Sequence, residues 1–322
     1  MSQIKATIVA HSKSSVDGKE IVTFELEYPR FIHSELMTHR LLSRNAASSR
    51  AIPVAKMIEQ VRNDPAMPIH WGKNQPGMQA KDEWDTLVEM DWDAYNDNPV
   101  YGSREDAWIE AALNAVSTAE SFDCAGYHKQ IVNRLLEPFQ MMKTVLTATE
   151  FDNFFWLRKH PDAQPEIKRL AELMWEALQN SKARELHPGW WHTPYFDNGY
   201  WCPFMEDEDC YNNPTSLDEA LAISSSCCAQ ISYRKLDDSL EKALVIFEKL
   251  IESKPCHASP TEHQATPIKV VYEGSRDIGE LMCIDGVTHV DKNGDLWSGN
   301  FKGWIQHRQL IEDNVCWKYE EK

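Results

Sequence analysis

Thr38-His39-Arg40-Leu41-Leu42-Ser43-Arg44-Asn45-Ala46-Ala47-Ser48-Ser49-Arg50 packs hydrogen-bond donors more densely than any other part of the 322-residue sequence. No acid occurs from Thr38 through Lys56, although the chain carries a formal net charge of -17. Arg40, Arg44, Arg50 and Lys56 alternate with His39, Ser43, Asn45, Ser48 and Ser49. Guanidinium forks and hydroxyls suit a phosphate or a planar base edge. Charge alone leaves a second reading open, a helix end whose arginines pair with acids elsewhere on an acidic surface.

The elements around this island predict its setting. Ile4–Ala10 and Glu20–Tyr28 read as strands on either side of Asp17-Gly18, a hairpin turn signal. Phe31–Ser43 reads as a helix that delivers the basic loop at its C-terminal end, and Val54–Arg62 as a short helix after Pro53. Residues 63–103 read as an irregular insertion rich in Trp, Pro and Gly, with helical pieces. Within it, His70, Trp71 and Lys73 fit either a binding loop or a solvated packing loop. Apolar residues recur at helical spacing over Arg104–Asp123 and Tyr127–Phe155, with Pro138 kinking or dividing the latter. Pro165–Glu185 and Leu240–Glu252 read as helices; Ile268–Tyr272, Glu280–Ile284 and Val287–Val290 read as strands, followed by a turn at Asp291-Lys-Asn-Gly294. Grouped strands and helices predict an α+β fold, an antiparallel sheet packed with a helical bundle. Four regions follow: 1–62 with the hairpin and helix-loop, the 63–103 insertion, a helical core over 104–186, and a C-terminal region, 187–322.

Composition limits the function classes. The net charge of -17 argues against broad nucleic-acid or anionic-membrane binding, while a mononucleotide in a local basic pocket remains compatible. No apolar run is long enough to span a bilayer, and Met1-Ser2-Gln3-Ile4-Lys5 carries no signal pattern, so a cytoplasmic location is expected. The 8 cysteines include no Cys-x-x-Cys pair, and Cys227 and Cys228 are adjacent, which fits free thiols. His187, His192, Cys202 and Cys210 are too irregularly spaced to predict a zinc site, so no metal is expected.

The order H-R-x-x-S-x-N-x-x-S-x-R resembles the signature of the flavin-dependent thymidylate synthases, with Thr38 where their first Arg stands. Asn133-Arg134-Leu135-Leu136-Glu137-Pro138 resembles that family's A-R-x-x-L-P helix. Asn153-Phe154-Phe155-Trp156-Leu157-Arg158 and Asp162-Ala163-Gln164-Pro165-Glu166-Ile167 resemble N-F-L-x-L-R followed by H-A-Q-x-E-I. Two family segments expected near the start occur late instead: Ala229-Gln230-Ile231-Ser232-Tyr233 resembles A-R-V-S-Y, and His257-Ala258-Ser259-Pro260-Thr261-Glu262-His263 resembles H-x-S-P-F-E-H. Trp304-Ile305-Gln306-His307-Arg308 resembles a second R-H-R helix. The matches lie in short blocks over about half the chain, in an order that suggests a permutation with partial duplication, as in a phage-type member.

The resemblance implies conversion of dUMP to dTMP, with FAD as hydride donor, methylenetetrahydrofolate as carbon donor and NADPH as reductant. It assigns Arg158 to charge stabilisation on the pyrimidine, and Glu35, Ser48, Ser49, Arg50, Arg134 and Arg158 to the nucleotide. It assigns Thr38, His39, Arg40, Asn45, Asn153, His257, Ser259, Glu262, His307 and Arg308 to the flavin site. It also implies a homo-oligomer, a tetramer in the family's usual form or a dimer if a duplicated unit replaces subunits. The chain departs from the pattern at Thr38, at Glu35 for a Gln, at Ala46 for a Glu, at Thr147 and Thr149 for an Asn and an Arg, and at Asp162 for a His. Those changes leave open a dCMP substrate, a hydroxymethyl product, or a nucleotide-binding protein without catalysis.

Overall fold

A computed structural model describes residues 4–93, 96–203, 215–232, 237–269 and 284–319. Strands β1 (Lys5–Ser14) and β2 (Glu20–Pro29) form the expected hairpin, with Gly18 at φ +72° supplying the left-handed turn residue. They lie in a five-stranded sheet of order β3-β6-β2-β1-β7, with β3 at Ser43–Ala46, β6 at Met141–Ala148 and β7 at Arg184–Leu186. Only the β1–β7 pairing is parallel.

Alternation along β2 divides the sheet into two faces. Val22, Phe24, Leu26 and Tyr28 face a core built with Phe151, Phe154, Phe155, Ile167, Leu170 and Met174. The last six come from the approach to α5 (Asp152–Arg158), from α5 itself and from α6 (Pro165–Gln179). Phe24 is fully buried and meets the Phe151 ring edge-on at 5.6 Å. Truncating such a side chain costs roughly 3–5 kcal/mol. A second cluster joins α2 (Val54–Asn63), α3 (Arg104–Cys124) and α4 (Lys129–Leu135) through Met57, Val61, Val116 and Val132.

Residues beyond 186 cover the sheet's other face. Ile21 packs with Ala265, Phe301 and Trp304, and Val145 with Cys228 and Ile231. Two buried histidines cross this junction. His192 hydrogen-bonds Ser12 and Thr23, each at 2.8 Å; Thr23 meets Thr147 at 2.7 Å, and Thr147 meets His263 at 2.8 Å. The covering layer contains a small four-stranded sheet whose neighbouring strands are, in order, Trp304–Gln306, Ala265–Pro267, Trp191–His192 and Tyr200–Trp201. It also contains α7 (Leu217–Ala229) and α8 (Leu240–Phe247), which continues as a wider helical turn over Glu248–Glu252.

The α+β class and most elements match the sequence reading, but several expectations need correction. The helix expected over 31–43 shrinks to α1 (His33–Leu36) after a single 3-10 turn. The carbonyls that would extend it are taken by side chains: Arg44 Nη1 donates to Leu36 O at 2.9 Å and His39 O at 2.8 Å, and Thr38 Oγ1 donates to Glu35 O at 2.8 Å. Within 127–155, helical spacing conceals β6, whose β-branched Thr144, Val145 and Thr147 are fully buried between two layers. A strand covered on both faces loses the alternation that would identify it. In the 63–103 insertion, the described residues form a hairpin, β4 (Val88–Asp93) with β5 (Asn98–Gly102), and no helix.

The α6 helix ends at Gln179, short of the expected Glu185. Tyr233 and most of the strands expected over 268–272 and 280–284 lie outside the described residues, as does Cys210. The turn at Asp291–Gly294 closes a 3.0 Å backbone hydrogen bond. No helix among the described residues is long and apolar enough to cross a membrane.

Candidate functional site

The segment from Glu35 to Ile52 is clasped at three places, each by a different part of the chain. At its start, Arg158, the last residue of α5, donates from Nε to His39 Nε2 at 2.8 Å and from Nη2 to Thr38 Oγ1 at 3.2 Å. Its Nη1 lies 3.7 Å from the Glu35 carboxylate. Accepting at Nε2 requires that His39 carry its proton on Nδ1. Burial, then the Arg158 and Arg44 charges, push His39 down to about 4, so it stays neutral. Burial raises the Glu35 carboxyl above the ordinary range, opposed by Arg158 and reinforced by Glu166. The guanidinium of Arg158 is thus fixed along its Nε edge, with its side chain 21% exposed.

At its middle, the segment becomes β3 and meets the C-terminal region. Asn300 Nδ2 donates to Ser43 Oγ at 3.0 Å and to Leu41 O at 2.9 Å, and Gln306 Nε2 donates to Ser43 Oγ at 3.3 Å. Gln306 also donates to the Glu262 carbonyl at 3.1 Å, within a 3-10 turn over Ser259–Glu262. The Glu262 carboxylate pairs with Arg308 and acts electrostatically on Arg44. The late blocks at 257–263 and 304–308 therefore converge on the first motif in space.

At its end, the loop after β3 meets α4 and the turn that follows it. Asn133 Nδ2, fully buried, donates to Ser49 O at 2.7 Å and Ile52 O at 2.9 Å. Ser49 Oγ donates to Glu137 Oε1 at 2.9 Å. Arg30 reaches the same carboxylate oxygen at 3.0 Å and Arg134 at 3.9 Å.

The remaining residues singled out by sequence fall into two groups. Arg40, Arg50, Arg134, Asn153, His257 and Ser259 are exposed, whereas Asn45 is half-buried in β3. Ser48 Oγ accepts from Arg50 N at 3.3 Å, which folds the loop back on itself. His307 is buried between Trp191 and Phe247, at ring separations of 5.9 and 6.5 Å. Thr147 and Thr149 are occupied internally, the first by Thr23 and His263, the second by the Lys302 amide at 2.9 Å. In the insertion, His70 is held by Glu83 at 2.8 Å and Lys73 lies 4.4 Å over the Trp84 ring. His192 of the irregular His/Cys set is committed to Ser12 and Thr23.

Asn133, Glu137, Asn300 and Gln306 were absent from the sequence-derived site. For the first two the signal was present, as departures from A-R-x-x-L-P inside a quoted block. The donor-rich segment is thus fastened to an α+β scaffold, with Arg40 and Arg50 exposed. The chain belongs to the family of thymidylate synthase complementing proteins, whose model matches residues 3–181, and is thus a thymidylate synthase-like methyltransferase. The match ends before the blocks at 229–233 and 257–263.

Several solved structures are similar to it at low identity. A UMP/dUMP methylase, PolB, from Streptomyces cacaoi bound with 5-Br UMP is 18% identical, with 55% of this chain and 89% of that chain covered and a TM-score of 0.35. The same enzyme bound with 5-Br dUMP is 20% identical, covering 55% and 90%, with a TM-score of 0.38. The flavin-dependent thymidylate synthase ThyX from Helicobacter pylori, complexed with FAD and dUMP, is 16% identical, covering 49% and 67%, with a TM-score of 0.32. No curated protein matches the chain.

Proposed function

We propose that the protein converts dUMP to dTMP, taking carbon from methylenetetrahydrofolate and reducing equivalents from NADPH by way of FAD. The observation that carries this reading is the fixed Arg158 guanidinium, held by His39 and Thr38 at the head of a hydroxyl- and arginine-rich loop. C5 of a uracil ring becomes nucleophilic as negative charge builds at N3 and the flanking oxygens, and a preorganised cation lowers the energy of that charge. Neutral His39 accepts from Arg158 Nε and so orients the fork without competing for the pyrimidine. Ser48, Ser49, Arg50 and Arg134 supply hydroxyl and cationic donors for the nucleotide phosphate.

The donor set also fits a flavin nucleotide. Arg40, Asn153, His257 and Ser259 are exposed polar groups, and Glu262, in the same block as His257 and Ser259, pairs with Arg308. When bound, FAD would supply the hydride that completes the methyl group. His307 is assigned here to shaping that wall rather than to polar contact, because aromatic rings enclose it. Permutation and duplication of the late blocks account for their contact with Ser43, and a homo-oligomer remains part of the reading.

Glu35 supports a second substrate. A carboxylate 3.7 Å from the Arg158 fork can accept from the exocyclic amine of cytosine while the fork donates to O2 and N3. Incubating the purified protein with FAD, desalting it and recording its visible spectrum tests the cofactor. Product masses from dUMP and dCMP, with the folate donor and NADPH present, then decide base and product. Absence of retained flavin and of any mass gain would refute the catalytic reading.

A further inference from the structure

The β4–β5 hairpin of the 63–103 insertion is a sheet of two strands only, and no third strand among the described residues pairs with either. Its register sets Glu89 opposite Tyr101 and Asp91 opposite Val100. Val100 and Tyr101 are successive residues, so the two pairs lie on opposite faces of the ribbon. All four are exposed, and Leu87 and Val88 at the head of β4 are 61% and 41% exposed. Both faces thus carry apolar groups beside carboxylates in water. A two-stranded ribbon alone is marginally stable, but this one is fastened at its base. Arg104 Nη1 donates to the Glu83 carboxylate at 2.9 Å, and its guanidinium lies 5.6 Å from the centre of the Trp71 ring, which meets Trp108 edge-on at 5.8 Å. Gly102 lets the Met90 sulfur close on the β5 backbone, where a Cβ would collide with it. The ribbon is therefore presented ready-formed, with no strand on either outer edge among the described residues.

An open strand edge offers N–H and C=O groups with which another extended chain can pair. β5 carries Pro99, which cannot donate, whereas β4, Val88-Glu-Met-Asp-Trp-Asp93, has no proline and is the better template. Charge decides what can occupy it. From Asp82 to Ser103 the chain holds seven acids and no Lys, Arg or His. Two copies of β4 laid edge to edge would bring Glu89 and Asp91 against like charges. Nucleic acids and anionic membranes are repelled for the same reason. We infer that β4 is a docking edge for an extended segment of a partner protein in which basic and apolar residues alternate. Its backbone pairs along Val88–Asp93, its cations lie beside Glu89 and Asp91, and its apolar side chains cover Leu87 and Val88. The bulge between Glu89 and Asp91 twists β4, so the segment that pairs is short.

The test uses the full chain and two short synthetic peptides of equal length, one alternating lysine with valine and one alternating glutamate with valine. Calorimetry should show binding of the lysine peptide only, and amide hydrogen exchange over Val88–Asp93 should slow several-fold in its presence. Glu89→Gln together with Asp91→Asn should weaken binding about tenfold, and Leu87→Ser several-fold at unchanged charge. The pair Asp123→Asn, Glu241→Gln removes the same charge from exposed positions elsewhere and should leave the affinity within about twofold. No binding, equal binding of the glutamate peptide, protection outside β4, or equal loss in both charge variants overturns the inference. So does slower exchange in β4 on raising the protein concentration alone, which makes a second copy the occupant. If the variant at Glu89 and Asp91 does not fold, the exchange map of the wild type and the affinity of Leu87→Ser decide.

Discussion

Lowering the pH from 7 to 5 should destabilise the protein by about 4 kcal/mol through His192 and His263. Both are fully buried, and burial pushes each imidazole down to about 3. His192 gives both ring nitrogens to Ser12 and Thr23, and His263 gives Nδ1 to Thr147. In the unfolded chain each titrates near the ordinary value of about 6.5. Below that value the unfolded state takes up protons that the folded state refuses. Stability is therefore complete above about 6.5, falls as the pH drops, and stops falling near 3, where the folded groups titrate. Integrated from pH 7 to 5, each histidine contributes a loss of about 2 kcal/mol. His307 and His39, each held at about 4, act in the same direction. Against a typical total of roughly 5–15 kcal/mol, the effect is large. Urea unfolding followed by tryptophan fluorescence at pH 7, 6 and 5 measures it. The reasoning fails if stability falls by less than about 1 kcal/mol over that range, or if the double variant His192→Gln, His263→Gln folds and loses as much as the wild type.

Other outcomes follow from the three clasps. Arg158→Ala should lower dTMP formation by at least about 100-fold while the protein still folds, with a stability loss of roughly 1–3 kcal/mol because buried His39 loses its donor, read from product mass and a melting curve; near-normal turnover would remove Arg158 from catalysis. Asn133→Ala should raise KM for the nucleotide about tenfold and cost roughly 1–3 kcal/mol, because the Ser49 and Ile52 carbonyls lose their buried donor; steady-state kinetics and denaturation check both. Glu166→Ala should unfasten the 63–103 insertion, since the buried carboxylate accepts from Ile69 N at 2.8 Å and from the Gln164 side chain. Trypsin should then cut at Lys73 and Lys81 several-fold faster, and unchanged cleavage would assign the anchoring to the Trp71–Trp108 contact instead.

Elements whose cues are local were legible before the structure. Asp17-Gly18 and the alternation of β2 specify the hairpin, and the capping residues and amphipathic spacing of α6 specify that helix. What failed was set by distant partners. Nothing near Leu36 announces that Arg44 will take its carbonyl and stop the helix. Nothing within Met141–Ala148 announces layers on both faces. The site divides the same way: Arg158, His39, Ser49 and Arg134 are readable as motif members, but the roles of Glu137 and Asn133 exist only once α4 lies against the 49–52 loop.

The sheet's two-sided burial sets a limit on modularity. The family-matched portion, 3–181, contains β1, β2, β3 and β6, yet one side of these strands is finished by residues from 186 onward. Ile21 and Val145 find their apolar neighbours there, and Thr23 and Thr147 find the imidazoles that satisfy them. The recognisable portion is thus half of a laminate rather than a detachable cassette. Severing the chain near 181 would therefore expose Ile21 and Val145 and strip Thr23 and Thr147 of their imidazole partners.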